Sequence, residues 1–395
     1  MKIVAVLESP ITSGGGFNQG LNAIMQMRRI CEGRFEFEVI TTITENIKFL
    51  KKLGLICVLF KPTLFERVIA RANRKLRWKN RHIRNENIGL LERKLIEHGA
   101  DVAYFLTQTA TPGSFQQLNY ITTVFDLCHR DTPEFPEVRS FGEFQGREKH
   151  FKNNLAPALL VITESENLTD LVSQRYGIDR ERCLAMPMSP SPFLKNEFIA
   201  EKLSVTKEYN LDEGYFFYPA QFWSHKNHVR ILEALILLRE AGSNFRVVFS
   251  GSDQGNRRHI ENLVEHYSLH EQVKFLGFVP AEHMRGLYEG CIAVVVPTYF
   301  GPTNLPPLEA WMIGKPLVYS AHLKEHAGEA AIYANPDSAM ELAEAMKAVT
   351  DPDTAARLVK NGVLRLSQIE QQRKDSEAEL ISRLLQFEAR SKCWA

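Results

Sequence analysis

Two stretches of this chain have the residue types and spacing to hold an anion. The first reads SPITSGGGFNQG, directly after a short apolar run that ends at Glu8. Gly14, Gly15 and Gly16 carry no side chain, so backbone N–H groups there can approach a phosphate closely. The helix that follows, with Leu21, Ile24 and Met25 on one side, turns its positive dipole end toward such a ligand. A flexible glycine loop is the competing reading, since neither a Walker Gly-Lys-Ser/Thr nor a dinucleotide-register G-x-G-x-x-G is present. The second stretch reads TYFGPTNLPPLEAWMIGKPLVYS after the apolar run 292–297. Pro306 and Pro307 suit the first turn of a helix and Gly314 its end. Thr303, Asn304 and Leu305 then sit at that N-terminus, with amides aimed at whatever binds the carboxyl end of the strand. Glu309 follows within the first turns. It reads as an acceptor for a ribose diol or as a glutamate that steadies its own helix.

A third feature is a run of charge. Arg67, Arg71, Arg74, Lys75, Arg77, Lys79, Arg81 and Arg84 occur with no acid between them, while Phe65, Ile69, Ala72 and Leu76 share one helical face and Trp78 lies close by. That pattern predicts an amphipathic basic helix whose patch Arg71, Arg74, Lys75, Arg77 and Trp78 suits an anionic bilayer surface. Lys48, Lys51 and Lys52, beside Phe49, Leu50 and Leu53, extend it. The alternative is a solvated helix packed on its own sheet. Nucleic acid is not expected as a partner, because no stacking platform accompanies the charge.

The elements that must position these residues are legible from the apolar runs. Strands are expected at 2–7, 35–41, 55–60, 101–106, 121–126 and 159–163, and again at 215–219, 245–250, 273–276, 292–297, 316–320 and 331–333. Helical stretches separate them, which is the rhythm of parallel sheets covered on both faces. With 395 residues, two α/β domains follow. We read the first as 1–190 and the second as 200–372, joined through the Pro/Ser-rich stretch MPMSPSPF at 186–193. A terminal helix, 376–395, carries Leu380, Ile381, Leu384, Leu385 and Phe387 at helical spacing and must bury that face. The charged fraction of 24% and the 44% of hydrophobic residues exclude a mostly disordered chain, and a net charge of +1 excludes a global polyanion-binding field. Six scattered cysteines form no C-x-x-C pair and read as reduced thiols. The start MKIVAVLESP is too short and too acidic for a signal peptide, and no run of apolar residues is long enough to span a bilayer. A cytoplasmic protein, peripheral at the inner face of the plasma membrane, is the expectation. Asp351-Pro-Asp353 mimics a metal-binding D-x-D but precedes a helix and reads as a cap, so no metal and no cofactor are expected.

The segment from Gly301 to Ser320 resembles the E-x7-E region of retaining glycosyltransferases of family 4, whose text is close to EGFGLPPLEAMACGKPV. Glu309 matches the second glutamate, which that family places on the donor ribose; the first falls on Gly301. YPAQFWSHKNHVRILEAL is similar to the family segment in which an arginine and a lysine five residues later hold a nucleotide diphosphate. Lys226 matches the lysine and Gln221 replaces the arginine. FSGSDQG, with Ser250 and Gly251, resembles the glycine turn below the nucleotide, and FLGFVP resembles the segment whose backbone reads the base, implying Gly277, Phe278 and Val279. TVFDLCHRDTPEFPE resembles the family's V-H-D loop: its histidine falls on Phe125, while Asp126 and His129 match and are the implied catalytic companions of Lys226. A lone Asp or His at a loop start is as readily a turn residue. Thr163, Ser165 and Asn167 match a cleft-lining segment.

The resemblance implies a GT-B architecture: two Rossmann-like domains facing across a cleft, with the terminal helix crossing back onto the first. It further implies a nucleotide-sugar donor on the second domain and transfer with retention. The branch-like texts DLCHRDTPEFP and FGPTNLPPLEA resemble bacterial O-antigen and surface-polysaccharide enzymes, often using GDP-mannose or GDP-rhamnose. A lipid-linked saccharide is the implied acceptor. A UDP-sugar 2-epimerase of the same fold, and an inert nucleotide-sugar-binding assembly protein, are the alternatives.

Overall fold

The computed structural model describes residues 1–61, 88–195 and 205–394. The basic segment with Arg71, Arg74, Lys75, Arg77 and Trp78 lies outside the described residues. Among the described residues, thirteen strands form two wholly parallel sheets. In the first, β1 (Lys2–Leu7), β2 (Glu36–Thr41), β3 (Cys57–Leu59), β4 (Val102–Phe105), β5 (Asn119–Val124), β6 (Leu160–Thr163) and β7 (Cys183–Ala185) take the order β3-β2-β1-β4-β5-β6-β7. In the second, β8 (Tyr215–Pro219), β9 (Val247–Ser250), β10 (Val273–Gly277), β11 (Cys291–Val296), β12 (Leu317–Ser320) and β13 (Ile332–Ala334) take the order β10-β9-β8-β11-β12-β13. The strands are Val/Ile/Leu/Phe runs because helices cover both faces, and an alternating pattern would leave polar side chains in the core. Each sheet reverses its winding once. That switch point falls between β1 and β4 in the first sheet and between β8 and β11 in the second, and ligands of doubly wound sheets bind outside the carboxyl ends of the strands there.

All twelve expected strands are present, each within two residues of the expected bounds. β7 was not foreseen, being only three residues long. The strand expected at 121–126 ends instead at Val124, because the Gln108 side chain takes the Phe125 N–H (3.2 Å) and draws the chain out of the ladder.

The chain divides into two compact units. The first contains Met1–Phe125, Gln145–Met186 and Asp375–Ala395; the second contains Asp126–Phe144 and Pro187–Lys374. The stretch Asp126–Phe144, read from the sequence as part of the first domain, belongs to the second unit. The residues that explain this are aromatic. Phe135 packs on Tyr299 and Phe300 with ring centroids 5.2 and 5.0 Å apart, and Val138 and Cys128 are buried with Phe300.

The last helix runs unbroken for 40 residues, Pro352–Ser391. Asp351 accepts the Thr354 N–H (2.9 Å), so the D-P-D text is indeed a cap. From Asp375 onward the helix belongs to the first unit, where Leu380, Leu384 and Phe387 are buried. Leu385 is exposed, since a spacing of four then three residues selects 380, 384 and 387 for one face. Glu377 accepts from Gln26 (2.8 Å) and Arg29 (2.5 Å), and Glu388 pairs with the N-terminal ammonium (2.8 Å).

Within the second unit the helix Leu305–Ile313 is anchored by Trp311, which is fully buried and donates its indole N–H to the Ala330 carbonyl (3.1 Å). A Cβ on Gly362 would lie 2.4 Å from that indole, so glycine is required where the long helix passes it. Truncating Trp311 to alanine would remove about 3–5 kcal/mol.

Candidate active site

The carboxyl ends of β8 and β11, adjacent at the switch point of the second sheet, each lead into a loop. After β8 the chain passes Gln221 and Trp223 into the 3-10 turn Ser224–Lys226, and Asn227 then adopts a left-handed conformation (φ 58°) that asparagine tolerates. The Asn227 amide donates to the carbonyls of Pro297 (3.0 Å) and Pro336 (2.9 Å), and the Tyr218 hydroxyl donates to the Lys226 carbonyl (2.8 Å). Tyr299 N–H and the Thr298 hydroxyl both donate to the His225 carbonyl, at 2.9 and 3.3 Å. The loop after β8 is thereby tied to the loop after β11 at backbone level, and Lys226 is delivered to Asn304, whose Oδ1 accepts from its Nζ at 3.4 Å. Burial pushes the Lys226 ammonium down to about 8, against the pull of Cys128, Asp126 and Glu137 nearby.

Glu309 lies buried one turn into the helix Leu305–Ile313 and accepts the Tyr288 hydroxyl at 2.5 Å. Burial raises its pKa, while the bonds from Tyr288 and the Ser191 backbone oppose that rise. Gly301, where the resembling family carries a carboxylate, has φ 96°, and a Cβ there would sit 2.9 Å from the Thr303 carbonyl oxygen. The missing side chain is thus built into the backbone of the loop.

The floor is made by the neighbouring strands. Ser250 is buried at the end of β9. Gly251 donates to the Gly277 carbonyl (2.7 Å) in a conformation with φ 153°, and a Cβ on it would lie 2.3 Å from the Ala220 carbonyl oxygen, so only glycine fits. Gly277 also has a positive φ, 69°. Beyond it Phe278 is exposed and Val279 buried. Gln221 accepts the Trp223 indole N–H (3.2 Å), and Leu305 opens the helix with Thr303 and Asn304 before it.

Of the other expected residues, Asp126 accepts the Cys128 N–H (3.0 Å) and lies within electrostatic reach of Lys226. His129 is fully buried with its ring 5.5 Å from Phe144. Gly14, Gly15 and Gly16 are in the first unit. Gly14 (φ 60°) caps the helix Gly15–Cys31 at the end of β1, the switch-point side of the first sheet. Thr163, Ser165 and Asn167 are in the first unit too, where Ser165 caps the helix Glu166–Tyr176 through the Leu168 N–H (3.2 Å).

Sequence reasoning missed two residues. Glu137 Oε1 accepts from both the backbone N–H (2.8 Å) and the Nδ1 (2.5 Å) of His225, whose ring stacks on Phe300 at 4.1 Å and 9°. Burial pushes His225 down to about 4, against the pull of Glu137. Glu137 is lowered in turn: burial would raise it, and the two bonds from His225 outweigh that. The only signal in the sequence was the position of His225 next to Lys226, because its partner is 88 residues away.

Residues 200–365 match the profile of the family described as Glycosyl transferases group 1. O-antigen chain mannosyltransferase B of Escherichia coli is 28% identical over 222 residues, 55% of this chain and 57% of that protein. The chain spans about half the length of the curated relatives it matches. Among solved structures, a glycosyltransferase from Rickettsia africae aligns over 97% of this chain and 98% of its own with a TM-score of 0.68 at 12% identity. Anabaena Alr3699/HepE in complex with UDP and glucose aligns over 97% and 100% with a TM-score of 0.71 at 17% identity. The fold is GT-B.

Proposed function

We propose that this chain, a GT-B protein whose residues 200–365 match the group 1 glycosyl transferases, moves a hexose from a nucleotide-diphosphate sugar to a growing surface glycan. The observation that carries the reading is the meeting of Lys226 and Asn304 at the switch point of the second sheet, beside the helix that bears Glu309. There the diphosphate lies against the Lys226 ammonium and the amides of Thr303, Asn304 and Leu305, which supply charge where the leaving nucleoside diphosphate develops it. Glu309 accepts from the ribose diol. Gly251 and the Gly277–Val279 backbone hold the base. Phosphoryl charge is met by a lysine and by amides, so the reading calls for no metal.

Transfer proceeds with retention, by front-face substitution: the leaving phosphate accepts the proton of the acceptor hydroxyl as the new glycosidic bond forms, and no enzyme nucleophile is needed. Mannose or rhamnose carried on GDP is the favoured donor: the likeness to an O-antigen chain mannosyltransferase supports mannose, and the texts DLCHRDTPEFP and FGPTNLPPLEA are the ground for GDP and for rhamnose. A lipid-linked saccharide is the acceptor. The first unit, with the Gly14–Gly16 loop, receives it.

Incubation of the protein with GDP-mannose, GDP-rhamnose or UDP-glucose and a lipid-linked oligosaccharide tests this. NMR of the product is expected to show the anomeric configuration of the donor. An inverted product would overturn the mechanism. Binding of nucleotide without turnover of any donor would mark an inert assembly protein, the reading that Gly301 favours, and interconversion of UDP-GlcNAc alone would mark an epimerase.

A further inference from the structure

We propose that the side chains of Asn304, Tyr319 and His326 form a fixed hydrogen-bond chain that aims the Lys226 ammonium, making Asn304 a positioning residue for the diphosphate. The inference rests on the reading of Lys226 as the diphosphate's cation. It begins with an oddity of the helix Leu305–Ile313. Asn304 occupies the N-cap position, where asparagine ordinarily accepts from the N–H of the second or third helical residue, yet its side chain makes no such bond. Those two residues are Pro306 and Pro307, which have no N–H to offer. The N-x-P-P text therefore releases the amide for other work.

Where it goes is fixed by its neighbours. Asn304 Nδ2 donates to the Tyr319 hydroxyl (2.9 Å), with the carbonyls of Phe300 and Gly301 each at 3.4 Å. Turning the amide over would set its oxygen against those two carbonyl oxygens, so the orientation is unambiguous. The Tyr319 hydroxyl lies 3.2 Å from His326 Nδ1, and we assign it as the donor there, its oxygen having accepted from Asn304. That assignment places the proton of His326 on Nε2, and burial, which pushes the imidazole down to about 3, keeps the ring neutral. Asn304, Tyr319 and His326 are all buried. The outcome at the far end is that Oδ1 points at Lys226 Nζ (3.4 Å). Gly301 belongs to the same device: a Cβ there would come within 3.2 Å of Asn304 Nδ2 and 3.4 Å of Oδ1, so a side chain at 301 crowds the amide.

Lys226 also feels Asp126, Cys128 and Glu137 from the stretch Asp126–Phe144, His225 from its own turn and His228 from the following helix. None of these is altered by the substitutions that test the chain. The test is the titration of Lys226 itself, read as its [13C]dimethyl-lysine resonance and assigned with Lys226→Arg, alongside calorimetric binding of GDP and UDP. Asn304→Leu should lower the pKa of Lys226 by about one unit and weaken nucleotide binding about tenfold, the size of a lost hydrogen bond to a charged group. Tyr319→Phe, which removes the amide's shortest contact while the Phe300 and Gly301 carbonyls keep its orientation, should move both in the same direction by less. Asn304→Asp should raise the pKa. If all three variants titrate Lys226 as the parent does, the chain does not aim it and the proposal is overturned. If Lys226→Ala leaves nucleotide binding intact while the pKa shifts occur, the chain stands and the donor reading of the site falls.

Discussion

At the scale of single residues, the site is governed by what backbone geometry forbids. Gly251 and Gly301 are glycines for the same reason: a Cβ would lie 2.3 Å from the Ala220 oxygen in one case and 2.9 Å from the Thr303 oxygen in the other. Placing the carboxylate of the resembling family here with Gly301→Glu should therefore not improve function. We expect it to lower stability by about 1–3 kcal/mol, the range for a strained left-handed residue, and to weaken nucleotide binding by dislodging Asn304. Thermal unfolding and calorimetric binding check this, and a tighter-binding, equally stable variant would count against the loop geometry. Lys226 and Glu309 were legible as isolated letters. What the letters did not disclose is that Glu309 is buried and Lys226 half-buried, with the cation depressed and the carboxylic acid raised by desolvation.

At the scale of elements, the strands were the most legible part of the chain, because fully buried parallel strands are short apolar runs bounded by turn residues. The hydrophobic pattern could not show which unit the stretch Asp126–Phe144 would join. That depends on Phe135, Val138 and Glu137 meeting Phe300, Tyr299 and His225 across a separation of 88 residues or more. The Glu137–His225 link holds this stretch in the second unit, next to Lys226. Glu137→Gln keeps the shape and removes the charge that the buried imidazole faces. It should cost about 1–3 kcal/mol and raise amide exchange across residues 128–144. Hydrogen exchange unchanged in that stretch would mean that the aromatic packing alone holds it. The long helix shows the opposite limit of sequence reading: a helix after the cap at 351–353 and the apolar face of a terminal helix at 376–395 were both visible, but nothing in the pattern announced that they are one helix. No proline or unfavourable glycine interrupts it, and Gly362 is there to clear Trp311.

At the scale of the whole molecule, the +1 net charge leaves local patches to decide partners. None of the described helices is long and apolar enough to cross a membrane. We propose peripheral attachment through the patch Arg71, Arg74, Lys75, Arg77 and Trp78, since each basic residue near an anionic surface contributes about 1 kcal/mol. Reversing Arg74, Lys75 and Arg77 to glutamate should then abolish co-sedimentation with phosphatidylglycerol-containing vesicles while leaving GDP binding as it was. Sedimentation that ignores the reversal would remove the membrane from the account.

The central claim is that a nucleoside diphosphate docks on the second unit between Lys226 and the helix bearing Glu309. It is tested most directly by calorimetric titration of GDP and UDP into the protein, into Lys226→Ala and into Glu309→Ala. One site is expected for at least one of the two nucleotides, weakened about tenfold or more by each substitution, as for loss of a charge-assisted hydrogen bond. Lys226 loses its proton as the pH rises through about 8, so the parent should also bind more weakly at pH 9 than at pH 7. Undiminished binding by both variants, with no fall in affinity between those pH values, would contradict it.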